Sequence, residues 1–142
     1  MAEWSRPEYE NLIYSLTERY RAVSSSTLRL YPNSPTTAFV RGSVYFHSGL
    51  ELRVFEYLDL SDGELFYYSY TVLRNGERVR WYDPQPHSDN PDLASTFPHH
   101  RHEPPNIKDN RRPAPGISFT APNLPTLIAD CGEMGRALVA KE

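Results

Sequence analysis

Residues Glu64–Asp83, ELFYYSYTVLRNGERVRWYD, decide how the rest of the chain is read. Asn75 and Gly76 stand between two runs rich in β-branched and aromatic residues, and both accept the positive φ that a two-residue hairpin turn demands. With these two as the loop, Arg74 is expected opposite Glu77, Val72 opposite Val79 and Tyr70 opposite Trp81, forming the core face. The alternate face then pairs Leu73 with Arg78, Thr71 with Arg80 and Ser69 with Tyr82, which makes it polar, basic and wet. A slip of one residue would reverse the assignment.

Upstream, Asp62-Gly63 and Ser48-Gly49 repeat the turn chemistry and delimit strands over Leu50–Asp59 and Ala38–His47. A short edge strand, Thr27–Tyr31, stops at Pro32-Asn33-Ser34-Pro35. Before it, Tyr9, Leu12, Ile13, Leu16, Tyr20 and Val23 recur at spacings of three and four, which predicts a helix over Pro7–Val23. Ser5 and Glu8 have the spacing of a capping box at its start. Downstream of Asp83 the chain changes character, with ten of its 13 prolines between Pro84 and Pro125. Residues 84–122 therefore read as stiff, irregular chain, and helical spacing returns over 123–141 through Leu124, Leu127, Ile128, Cys131, Met134 and Leu138. The expected architecture is one α+β domain over 1–142, an antiparallel meander of four to five strands packed against N- and C-terminal helices.

Bulk properties narrow the function. A net charge of −3 gives no whole-molecule attraction to nucleic acid, so RNA binding would need a local basic patch. The single cysteine, Cys131, excludes an intramolecular disulfide, and its place on an apolar helix side makes it a core residue. Met1–Arg6 lacks the basic start and apolar run of a signal peptide, and no stretch approaches a membrane span, so a cytoplasmic location is expected.

Chemistry concentrates in Thr96-Phe97-Pro98-His99-His100-Arg101-His102, three of the five histidines beside an arginine. Closely placed imidazoles supply both a general base and a general acid near neutral pH, and Arg101 a cation for a phosphate. The same groups, with His87 and Asp83, offer a metal site, although their spacing matches no structural zinc pattern. Asp83 is placed to orient an imidazole from the end of the last strand, or to make a local turn before Pro84. Glu56 falls on the apolar face of its strand with Leu52, Val54 and Leu58, where a carboxylate needs a partner. Arg78 and Arg80, with Tyr82, make the expected wet face a binding surface for phosphate; Lys108, Arg111 and Arg112 read as a solvated loop.

Leu52-Arg53-Val54-Phe55-Glu56, Asp59-Leu60, Tyr68-Ser69-Tyr70, Arg80-Trp81-Tyr82-Asp83, Pro86-His87 and the Phe-Pro-His-His-Arg-His run resemble the TumE-type toxin family of bacterial toxin–antitoxin systems over Gly49–Glu103. The resemblance implies a small toxin with a cognate antitoxin partner that attacks RNA or translation. It marks Glu56, Tyr82, Asp83, His87, His99, His100 and His102.

The sequence reading is therefore a metal-independent ribonuclease with no cofactor. His99, His100 and His102 share acid, base and phosphate work, with Asp83, His87 and Glu56 also in the catalytic set; Arg101, Arg80, Tyr82 and Arg78 bind RNA. The alternatives are a metal-dependent hydrolase or nucleotide-modifying enzyme using the same histidines, and a non-catalytic protein that binds a partner through its tyrosine-rich sheet.

Overall fold

The computed structural model describes residues 4–85 and 90–140. His87 lies outside the described residues.

Helix α1 (Arg6–Ile13) opens on the expected capping box. Ser5 Oγ accepts from the Glu8 N–H while the Glu8 carboxylate accepts from the Ser5 N–H. The predicted helix to Val23 ends early, because Ser15 Oγ donates back to the carbonyl of Asn11 at 2.5 Å and competes with the helical ladder. One further turn follows, α2 (Leu16–Arg19). Val23 then starts a strand, β1 (Val23–Ser26), opposite Phe46.

β1 and β2 (Arg29–Pro32) both pair with β3 (Thr37–Phe46) along one sheet edge. The edge breaks at Thr27-Leu28, where the chain crowds Gly42. A Cβ there would fall 2.6 Å from the Thr27 carbonyl oxygen, and its φ of +137° already disfavours any other residue. β4 (Leu50–Asp59), β5 (Glu64–Arg74) and β6 (Glu77–Asp83) continue the antiparallel meander.

The hairpin turn is as expected, with φ of 52° at Asn75 and 81° at Gly76, and Arg74 opposite Glu77. The register beyond Arg78 is not. Leu73 faces Arg78 but Val72 faces Arg80, leaving Val79 as the extra residue of a β-bulge. The expected pairs Val72 with Val79 and Tyr70 with Trp81 do not form; Tyr70 faces Tyr82, and Thr71 faces Trp81. Tyr82 therefore enters the core, 1% exposed, instead of lining a wet face.

Two strands inside the proline-rich segment extend the sheet to eight. β7 (His100–His102) pairs with β6, and β8 (Arg111–Pro113) pairs with β7. A 3-10 turn over Pro91–Thr96 precedes them. Helix α3 (Leu124–Ala140) buries Leu124, Leu127, Ile128 and Cys131. The fold is α+β, an open antiparallel sheet flanked by N- and C-terminal helices. Among the described residues no helix is long and apolar enough to cross a membrane.

Both helices cover the same sheet face, pinned by buried polar contacts. Glu56 is fully buried in this face and accepts hydrogen bonds from the hydroxyls of Tyr9 on α1 and Tyr70 on β5. Asn123 Nδ2 donates to Tyr70 Oη at 3.1 Å, and Tyr82 Oη donates to Asp130 Oδ2 at 2.8 Å. Burial is the largest influence on Glu56 and raises its carboxyl above the ordinary 4.5, with the two tyrosines opposing. A raised carboxyl binds its proton more tightly folded than unfolded. Its contribution to stability is complete below about 4.5 and is lost as pH rises through the folded value.

Two outcomes are expected in urea unfolding. Glu56→Ala orphans two buried hydroxyls and costs about 3 kcal/mol. Glu56→Gln costs less and removes the fall in stability that the wild type shows as pH rises above 4.5; an unchanged pH profile would contradict this account.

Candidate metal centre

His100 and His102 are alternate residues of β7, so the period of two points both imidazoles to one side of the sheet. That side carries neither terminal helix, yet both imidazoles are buried there, 1% and 3% exposed. β6 supplies the partners by register, with Asp83 opposite His100 and Trp81 opposite His102. The bulge at Val79 carries this consequence, because it turns Trp81 and Asp83 outward as it turns Tyr82 inward.

Three ligand-type side chains converge. His100 Nε2 lies 3.1 Å from His102 Nε2 and 3.1 Å from Asp83 Oδ1, and His102 Nε2 lies 3.4 Å from Asp83 Oδ2. Among the described residues this is the one group of three or more such side chains whose donor atoms all fall within 4.8 Å of one another. Around an ion with ligand bonds of about 2.0–2.1 Å, donor atoms at right angles lie about 3.0 Å apart and tetrahedral ones about 3.4 Å. The observed spacings match that range.

The far nitrogens fix the proton positions. His102 Nδ1 lies 2.9 Å from the Ile107 carbonyl and His100 Nδ1 lies 3.3 Å from the Pro98 carbonyl. A carbonyl only accepts, so each Nδ1 carries a hydrogen, and each Nε2 faces the other and an Asp83 oxygen. Such a cluster can hold either a shared proton or a metal ion. The outward N–H to carbonyl bond is also the usual support of a metal-binding imidazole.

The surroundings favour the neutral form of His102 and hold its ring in place. Burial is the largest influence on His102 and lowers it, with His100 and Arg111 adding to the lowering and the Ile107 carbonyl and Asp83 opposing it. Trp81 stacks on His102 at 3.8 Å between ring centroids and donates from Nε1 to Asp83 Oδ2 at 2.9 Å. The Arg78 guanidinium sits 4.5 Å from the Trp81 ring centroid. Arg111 is opposite His102 on β8, and its buried Nε has no hydrogen-bond partner.

The other residues singled out by sequence lie elsewhere. His99 precedes β7 and turns to the helix side, where its Nδ1 meets the Tyr68 hydroxyl at 2.5 Å and its ring packs on Phe119. Burial, then His100, lowers it below 6.5. Arg101 alternates with its histidine neighbours and faces the helices, bonding Glu103 at 2.6 Å; Arg80 lies 3.8 Å from the same carboxylate. Tyr82 and Arg101 both approach Asp130 of α3. Arg80, Tyr82 and Arg101 thus form a structural cluster behind the sheet, and Glu56 lies on that side too. Of the expected binding residues, Arg78 alone stands beside the centre. Trp81, expected on the core face, and Arg111, expected in a solvated loop, instead stand beside the centre opposite His102 on β6 and β8; the His-x-His spacing, read as a strand, draws attention to their positions.

The family model described as Toxin TumE matches residues 13–134. No curated protein and no solved structure matches the chain.

Long-range proton–nitrogen NMR on metal-stripped protein at neutral pH should find His100 and His102 both in the Nδ1–H form. An Nε2–H form on both rings would contradict the assignment.

Proposed function

The chain belongs to the TumE toxin family of toxin–antitoxin systems, and from that premise we propose that it is a metal-dependent hydrolase of RNA phosphodiesters whose divalent ion is held by Asp83, His100 and His102. The observation that carries this reading is the convergence of two Nε2 atoms and a carboxylate on one point, with both Nδ1–H groups directed at carbonyls. Two histidines and one carboxylate leave coordination positions free for substrate.

The metal-free reading is less well supported by the same atoms. It needs one imidazole to accept and another to donate across a bound phosphate. Here the two Nε2 atoms face each other at 3.1 Å, and His99 is engaged with Tyr68 behind the sheet. A single proton shared among Asp83, His100 and His102 is the remaining metal-free form, and chelation separates the two.

When bound, the ion supplies Lewis-acid catalysis and an activated water. The chain's own groups do the positioning. Trp81 Nε1 fixes one Asp83 oxygen and its ring holds His102 flat, so the donor set is preformed. Arg78 on the outer face of Trp81 and Arg111 opposite His102 bring positive charge to where a phosphate would sit. The cognate antitoxin that the toxin family implies would act by blocking this centre or the surface leading to it.

Chelator-stripped protein should bind one equivalent of manganese, cobalt or zinc in calorimetry and regain cleavage of total RNA on metal addition. His100→Ala and His102→Ala should each weaken metal binding by about a hundredfold and abolish cleavage. Full cleavage by stripped protein in excess chelator would end the metal reading.

A further inference from the structure

The open sheet face carries a second feature that the metal centre does not use. Its rows, read across the strands, change in composition from one end of the sheet to the other. Tyr31, Phe39, Tyr57 and Tyr67 stand side by side on β2, β3, β4 and β5. The next row is Arg29, Arg41, Phe55 and Ser69. The third is Ser43, Arg53, Thr71, Trp81, His102 and Arg111, and it ends in the metal centre.

The rings form a surface rather than a core. Phe39 and Tyr57 stack at 4.7 Å and 13°, while Tyr31 and Tyr67 remain 48% and 46% exposed. Exposure of this order means that no described element packs over them. Arg41 lies 5.7 Å and 5.5 Å from the centroids of Phe39 and Phe55. Arg29 and Arg41 are directly opposed like charges, an arrangement that costs stability, and neither pairs with an acid among the described residues. The acids nearest the platform are committed elsewhere, Glu51 to Ser43 and Arg53 and Asp59 to the Ser61-Asp62 turn. In a chain of net charge −3, this is a local cationic aromatic field. Between it and the metal centre Ser69 and Thr71 are short, leaving a low path across β5 toward Trp81 and His102. Arg53 and His102 are three strands apart, about 14 Å.

We infer that the helix-free sheet face is a stacking platform for single-stranded RNA, seating unpaired bases on Phe39, Phe55, Tyr57 and Tyr67 and passing the backbone over Ser69 and Thr71 toward Trp81 and Asp83, the half-buried edge of the Asp83–His100–His102 centre. This deepens the hydrolase reading and rests on it for the fate of the RNA, but not for its binding. Exposed rings interleaved with guanidinium groups suit single strands, whose bases offer free π faces, and not duplexes. The paired arginines supply the phosphate contacts that their mutual repulsion otherwise leaves unexplained.

The test is fluorescence anisotropy with metal-stripped full-length protein and a labelled 12-nucleotide single-stranded RNA, beside the matched duplex. Binding to the single strand should exceed binding to the duplex at least tenfold. Tyr57→Ala and Tyr67→Ala should each weaken it roughly tenfold, and Arg41→Gln should shallow the salt dependence by about 0.7 in the log–log slope. Arg41→Gln alters an exposed side chain, so it keeps the test decisive should a ring variant unfold. Because the assay reads binding by metal-stripped protein, a failure of the hydrolase reading would show as absent cleavage on metal addition with single-strand binding intact. Absence of single-strand binding, or equal binding of the duplex, would overturn the inference. So would face substitutions that spare RNA binding while abolishing co-purification with the cognate antitoxin, which would make the platform a protein interface.

Discussion

One unpaired residue, Val79, sets which side chains of β6 face the helices and which face outward. Period-two alternation leaves no independent choice for its neighbours. With the bulge, Tyr82 enters the core and ends on Asp130, while Trp81 and Asp83 project from the open face beside β7. Without it, the Asp83 carboxylate would point among buried tyrosines at a large desolvation cost, and Tyr82 would face solvent. The convergence of Asp83 with His100 and His102 depends on this placement, as does the stacking of Trp81 on His102.

The two faces of the sheet consequently carry polar groups for different ends. On the helix side they tie layers together: Glu56 joins α1 to β4 and β5, Asn123 joins the start of α3 to Tyr70, and Asp130 collects Tyr82 and Arg101. Each of these groups has a partner and is closed to a ligand. On the open side Asp83, His100 and His102 converge on one point and Arg29 opposes Arg41, arrangements suited to a ligand. Both His99 and His100 are buried, and what separates them is the partner each meets, the Tyr68 hydroxyl for His99 and the Asp83–His102 pair for His100.

Much of this was legible in the sequence. The Asn75-Gly76 turn, the meander from Ala38 onward, the C-terminal helix and the toxin family all followed from local pattern or motif. The His cluster was identified, but its division between two faces was not, because a three-residue strand of His-Arg-His has no apolar alternation to announce it. β7 is held by pairing to β6 and β8 by pairing to β7, rather than by burial of an apolar stripe, so hydropathy does not reveal them. The bulge was invisible for a related reason: Val79 and Trp81 look as suitable for the core as Arg80 and Tyr82 look for solvent. Glu56 drew attention as a carboxylate on an apolar face, and only the positions of Tyr9 and Tyr70 distinguish a buried strut from an active group.

The account's central claim is that a divalent ion occupies the point shared by Asp83, His100 and His102. A crystal of manganese- or zinc-soaked protein, measured at the metal's absorption edge, addresses it directly. The account predicts one anomalous peak about 2.0–2.2 Å from His100 Nε2, His102 Nε2 and an Asp83 oxygen, with both Nδ1 atoms still on the Pro98 and Ile107 carbonyls. A peak elsewhere, or none between these residues at saturating metal, would contradict it.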